Sequence, residues 1–216
     1  MSEVVQHVLA AVTVTELIAF VLITVNVWLT VRQNVLCWPV GAVGVIFYFV
    51  VFLRARLYAD ASLQVVYFVL QFYGWYQWLF GGRKLPAEDE AGPVGGETAP
   101  PDSTELKVTH TPPQEAAVLA VLTVVLGAGI GSFMNHFTNA AAPYVDATQT
   151  SLSLAAQWMM ARKYLESWSL WILVNVISVP LYLSRQLYPT TVLYAILLVM
   201  AILGYYEWKR TMRDEP

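Results

Sequence analysis

Residues 38–53 read WPVGAVGVIFYFVVFL and residues 168–183 read WSLWILVNVISVPLYL. They open a match that runs without a gap at an offset of 130 residues. Trp38, Leu53, Leu57, Tyr58, Leu63, Val69, Gly74, Tyr76 and Trp78 fall on Trp168, Leu183, Leu187, Tyr188, Leu193, Val199, Gly204, Tyr206 and Trp208. Both copies are apolar enough to cross a bilayer. A duplicated membrane unit points to a transporter, because the interface between two like halves can open to either side and hold a site at the midplane.

Composition agrees with that class. The chain has 216 residues, 57% of them hydrophobic and 12% charged, and a mean hydropathy of +0.55. Soluble domains carry about twice that charged fraction. The apolar residues come in long runs, so the expected fold is an all-α polytopic membrane protein. No alternating pattern suggests a barrel. No basic patch suggests nucleic acid. A single cysteine, Cys37, excludes an intramolecular disulfide and a Cys-cluster metal site. The opening MSEVVQH lacks a basic region, so the first span is expected to stay in the mature protein.

Seven transmembrane helices are predicted: 8–31, 38–53, 63–80, 116–133, 147–161, 168–183 and 190–208. They divide the chain into a first three-helix repeat (8–80), a linker (81–115), a connecting helix (116–133), a second three-helix repeat (134–208) and a basic tail (209–216). The linker, with RKLPAEDEAGPVGGETAPPDSTELK, is too polar and too rich in Pro and Gly to bury a core, and reads as a flexible cytoplasmic tether. One side of the membrane holds Arg54, Arg56 and Arg185. The other holds Arg32, Arg83, Lys84, Lys107, Arg162, Lys163, Lys209, Arg210 and Arg213. The richer side is expected to be cytoplasmic, with the N-terminus outside and the C-terminus inside. A three-helix unit that enters from outside ends inside, so the fourth helix must carry the chain back. The result is a 3+1+3 arrangement of parallel repeats.

Polar side chains within spans are costly, so their positions are informative. In the sixth span Trp168, Trp171, Asn175, Ser178 and Tyr182 share one helix face. Asn175 lies about 10 Å along the helix from Trp168, near the midplane. In the third span Gln64, Tyr67, Gln71, Trp75 and Trp78 repeat that spacing. Two amides at one depth, each with aromatic neighbours, suit a flat, polar, hydrogen-bonding ligand. Thr150, Ser153 and Gln157 line a face of the fifth span. Glu16 and Asp146 occupy equivalent positions and are candidates to carry protons. Trp28, Trp38, Trp78 and Trp208 read as belt or packing residues. Gly41, Gly44, Gly74 and Gly204 read as points of close helix contact. Gln71 and Asn175 taken singly serve equally well as interhelical glue, worth about 0.6 kcal/mol. Pro39, Pro180 and Pro189 are candidate bending points, with Pro180 the one clearly inside a span.

Enzymatic motifs are missing. His7, His110 and His136 form no metal-ligand spacing, and there is no phosphate loop, GxSxG or paired-carboxylate motif. Neither a catalytic residue nor a cofactor is expected.

CWPVG, LYADASLQVVY and YGWYQW in the first copy, with ESWSLWILVNV, LYPTTVLY and GYYEW in the second, resemble the Pnu family of bacterial vitamin transporters, most closely its nicotinamide riboside branch. The similarity spans roughly residues 15 to 210 apart from the linker and the fourth span. Trp168, Trp171 and Asn175 look like the family's substrate-site motif. The resemblance implies a SWEET-like seven-helix fold in the bacterial inner membrane and homotrimers with one path per protomer. It also implies facilitated diffusion of nicotinamide riboside, an NAD precursor, trapped when a cytoplasmic kinase phosphorylates it. The expected binding residues are Trp171, Asn175, Trp168, Gln71, Trp75, Gln64, Tyr67, Gln157 and Tyr182. A sister carrier for thiamine or riboflavin is the nearest alternative. A sugar carrier and a non-transporting membrane scaffold stand further off.

Overall fold

The structure is a computed structural model that describes residues 14–54, 58–82, 106–138 and 142–214. Seven α-helices follow one another among these residues: α1 (Val14–Val31), α2 (Cys37–Arg54), α3 (Tyr58–Phe80), α4 (Pro113–Phe137), α5 (Pro143–Ala161), α6 (Glu166–Ser184) and α7 (Tyr188–Asp214). No strand is present among the described residues, where Thr109 and Tyr164 form an isolated parallel bridge. Four helices, α2, α4, α6 and α7, are long and apolar enough to cross a membrane. α1 carries a shorter apolar stretch, Leu17–Val31. Glutamine, serine and threonine dilute the apolar content of α3 and α5. α2 packs between α1 and α3, and α6 between α5 and α7. α1 meets α7, α3 meets α5, and α4 packs on α5.

The helix ends differ from the apolar runs for identifiable reasons. α4 and α5 each begin with a proline and carry an acid in the first turn. Proline fits a helix start, and a carboxylate there meets the positive end of the helix dipole. Hydropathy misses both turns because they are polar. The predicted tail 209–216 continues as helix through Asp214, with Arg210 paired to Asp214. Leu57 and the residues before Val14 lie outside the described set.

The predicted linker also ends earlier than Glu115. Residues 106–112 form a docked strap. The Thr109 N–H donates to the Lys163 carbonyl at 3.2 Å and the Leu165 N–H to the Thr109 carbonyl at 3.0 Å. Val108 is buried. The Glu166 carboxylate lies 2.7 Å from His110 Nδ1 and accepts the Thr111 N–H and hydroxyl. Leu106 and Val108 alternate with polar residues, so one face of the strap can be buried. Nearby, the Tyr164 hydroxyl donates to Glu115 at 2.9 Å. Burial first, then that bond, pushes the Tyr164 phenol above its ordinary value.

The 130-residue offset reappears in the geometry of the helix ends. Gln33 (φ 54°) and Lys163 (φ 53°), equivalent by offset, are both left-handed. Arg32 lies over the Trp28 ring and Arg162 over the Trp158 ring. Trp38 meets Trp78 edge-on at 5.4 Å, and Trp168 meets Trp208 edge-on at 5.4 Å. Trp78 and Trp208 touch across the middle at 5.9 Å. Trp78 Nε1 donates to the Met160 carbonyl at 3.2 Å, and Trp208 Nε1 to the Thr30 carbonyl at 3.1 Å. Thr30 and Met160 are themselves equivalent by offset. This four-indole core, with Lys163 above Trp78 at 4.7 Å, closes the end of the molecule that carries Arg32, Arg162, Lys163, Lys209, Arg210 and Arg213.

Each outer indole needs a glycine opposite it. A Cβ on Gly204 would lie 2.6 Å from the Trp168 ring, and one on Gly74 would collide with Trp38 in the same way. Gly129 on α4 faces open space. Gly204→Ala and Gly74→Ala should each destabilise the protein by about 1–3 kcal/mol through overpacking. Gly129→Ala should be neutral or stabilising by up to about 1 kcal/mol. Thermal unfolding in detergent checks the contrast.

Candidate functional site

Between the indole core and the opposite end, side chains on six helices build a polar layer. On α6, Asn175 is 3% exposed and its Nδ2 donates to the Trp171 carbonyl at 2.8 Å, one turn back. Trp171 is partly buried and packs on the indole core. On α3, Gln71 is 7% exposed, and its Oε1 has no hydrogen-bond partner among the described residues. Asn26 on α1 donates to the Cys37 carbonyl at 2.5 Å. Gln149 on α5 donates to Ser178 on α6, and both are buried.

Further toward the opposite end, hydroxyls from five helices come together. Tyr67 on α3 stands beside Ser153 on α5. Tyr182 on α6 and Tyr194 on α7 pack with their rings 4.9 Å apart. Tyr48 on α2 and Tyr67 stand near Tyr194. Gln64 is partly buried there, and Gln157 is partly buried near the basic end of α5. A cavity of about 250 Å³ lies instead beside the strap, against Lys107, Arg162 and Tyr164. An apolar groove of about 400 Å³ follows the outer face of α7. Neither of these spaces is the polar layer.

Two expected site residues fall elsewhere. Trp168 is buried under Gly204 and Trp208 and belongs to the indole core. It shares a helix face with Trp171 but lies one turn nearer the sealed end. Trp75 is 36% exposed and packs on Phe72 at the exterior, because the face that buries Gln71 and Trp78 has turned away from the interior at that position. Trp28, 50% exposed, sits on the exterior, as a belt residue would. Asp146 pairs with Arg185 at 3.1 Å at the opposite end. The Glu16 side chain lies outside the described residues. No group of acids, histidines and cysteine able to hold a metal occurs among the described residues.

Asn26, Tyr48, Gln149 and Tyr194 were missed in the sequence. Tyr48 and Tyr194 had a signal: at the 130-residue offset they face Ser178 and Gln64, so both copies are polar there. Gln149 and Asn26 face Ala19 and Ala156, and each stands alone.

A family model described as nicotinamide mononucleotide transporter matches residues 13–210. The chain belongs to that family. It is a transporter rather than an enzyme, and a multi-pass protein of the bacterial inner membrane. A nicotinamide riboside transporter PnuC of Escherichia coli (strain K12) is 28% identical over 81% of this chain and 76% of its own length. A riboflavin/roseoflavin transporter RibM of Streptomyces davaonensis is 27% identical over 85% of this chain and 79% of its own length. A crystal structure of a vitamin B3 transporter PnuC shares the fold, with a TM-score of 0.67 and 21% identity over 92% of this chain and 82% of that one.

Interhelical hydrogen bonds in membrane proteins contribute about 0.6 kcal/mol each, and up to about 1.7. The Gln149–Ser178 contact is fully buried between α5 and α6. A double-mutant cycle with Gln149→Leu and Ser178→Ala should give a coupling in the upper half of that range. Unfolding in detergent measures it.

Proposed function

We propose that the protein takes up nicotinamide riboside by facilitated diffusion, and that a cytoplasmic kinase traps the substrate by phosphorylating it. The observation that carries this reading is Asn175, buried in the middle of α6 one turn from Trp171, with Gln71 buried on α3. The substrate has a flat cationic ring, a carboxamide and a ribose. Trp171 attracts the ring by a cation–π contact, worth about 0.5–2 kcal/mol. Asn175 and Gln71 bond its polar edges. Tyr67, Tyr182 and Gln64 continue the path toward the opposite end, and Gln157 lines it nearer the basic end, one turn from the end of α5.

The family description names a mononucleotide, whereas the PnuC relatives are named for the riboside. Site chemistry favours the riboside. Every Lys and Arg among the described residues stands in a connection or within the terminal two turns of a helix. A phosphate dianion in the middle layer would be stranded without a cation. The same exclusion makes phosphorylation an effective trap.

The two three-helix units, α1–α3 and α5–α7, act as parallel repeats in a SWEET-like 3+1+3 arrangement, with α4 returning the chain. The paired loop conformations and the reciprocal indole bonds support this reading. The basic end is cytoplasmic, which puts the N-terminus outside and the C-terminus inside. The assembly is a homotrimer with one path per protomer. A riboflavin carrier is the second reading, because the RibM relative is about as similar as the PnuC relatives.

Quenching of intrinsic Trp fluorescence, titrated with nicotinamide riboside, thiamine and riboflavin in parallel, tests the substrate. Saturable quenching by nicotinamide riboside alone is expected. Trp171→Phe combined with Asn175→Ala should weaken it by at least about tenfold. Trp75→Phe should leave it unchanged. Saturation by riboflavin alone would move the protein to the sister specificity, and normal affinity in the double variant would remove the site assignment.

A further inference from the structure

The offset that relates Trp38 to Trp168 also relates Asn26, Gly41 and Gln71 to Ala156, Trp171 and Ala201. In the second copy an indole is matched with two fully buried alanines. In the first copy the indole becomes glycine and both alanines become amides. The amides occupy the room that a side chain on Gly41 would need. A Cβ there would lie 2.6 Å from Gln71 Nε2 and 2.7 Å from Asn26 Nδ2. Side-chain volume is thus exchanged between the copies, while the chemistry changes from aromatic to amide.

Hydrogen bonding within the protein does not use up this pair. Asn26 Nδ2 has two hydrogens, and the structure gives it one acceptor, the Cys37 carbonyl. Gln71 Oε1 is buried with no donor among the described residues. A buried acceptor left unmet is uncommon, and a ligand is one of the few things that accounts for it.

We infer that Asn26 and Gln71 form an amide clasp over Gly41 that reads a primary carboxamide on the ligand ring, while Trp171 of the other copy takes the ring face. This rests on the transport reading above and adds to it the ligand's orientation and a new specificity residue, Asn26. A primary carboxamide presents a donor and an acceptor side by side. Its N–H₂ supplies the hydrogen that Gln71 Oε1 lacks, and its carbonyl accepts from the amide nitrogen of Asn26 or Gln71. A carboxylate in the same place has no hydrogen for Oε1 and brings a charge into a layer without cations. A site built on hydrogen bonds to one group discriminates strongly against an analogue that cannot make them.

The test is the ratio of two dissociation constants on the purified full chain, for nicotinamide riboside and for nicotinic acid riboside, which carries a carboxylate in place of the carboxamide. The unaltered protein should favour the carboxamide. Gln71→Met and Asn26→Leu should each lower that preference by at least about tenfold through weaker carboxamide binding. If Asn26→Leu does not fold, because the Cys37 carbonyl loses its donor, Gly41→Ala reads the same ratio by displacing both amide nitrogens. An unchanged ratio, or equal weakening of both ligands, overturns the clasp and leaves the transport reading in place. Failure of the unaltered protein to bind nicotinamide riboside overturns both.

Discussion

Two hydrogen bonds organise this molecule: Trp78 Nε1 to the Met160 carbonyl and Trp208 Nε1 to the Thr30 carbonyl. Each runs from one three-helix unit to the other, and the offset exchanges them. Both acceptors lie in the last turn of a helix, α5 or α1, where carbonyls lack an intrahelical partner. Each also accepts the N–H of the left-handed residue that ends the turn, Lys163 or Gln33. One carbonyl therefore ties together a helix end, a loop and the opposite unit. Inside a bilayer, lipid is as apolar as leucine and the hydrophobic effect does not hold helices together. Close packing and satisfied polar groups must do so. The remaining indoles follow from that requirement. Trp38 and Trp168 fill the space behind the pair, and Gly74 and Gly204 exist to admit them.

Much of the architecture was legible because the duplicated residues are the large ones. Tryptophans and glycines at matched positions report a shared scaffold, and here they mark the core of that scaffold. The same feature misled the site assignment at Trp168. A tryptophan on a polar helix face looks alike whether it meets a ligand or another indole, and Gly204 opposite it was the available clue. Trp75 was misplaced by spacing, since a 3–4 pattern defines a stripe and not how far the stripe stays buried. The strap was hidden by composition. Leu106 and Val108 are too few to stand out beside the acidic, proline-rich residues that precede them. Asn26 was invisible on its own helix, and became readable through Gly41, whose missing side chain leaves the room it occupies.

Two like units that were also alike in the middle would present matching groups to the two faces of a ligand. A ligand with an aromatic face and a hydrogen-bonding edge needs unlike groups. The chain resolves this by depth. At the basic end the copies agree: matched indoles, matched left-handed turns, matched arginines over tryptophans. Toward the middle they diverge: Asn175 against Val45, Ser178 against Tyr48, Trp171 against Gly41.

That divergence carries its own physical constraint. A buried polar group without a partner destabilises the fold, more so where no water can reach it. Several polar residues of the middle layer avoid this by bonding within the protein: Asn175 to Trp171, Gln149 to Ser178, Ser153 to Gln149. Such bonds are weak enough to exchange for bonds to a passing solute, since each contributes about 0.6 kcal/mol in this setting. A charged residue in the same place would hold a counter-charged ligand too firmly to release it, or would demand a partner and close the path. Uncharged amides and hydroxyls around the partly buried Trp171 indole give a layer that can both accept and let go of a flat cation. Facilitated diffusion, as proposed above, depends on that reversibility.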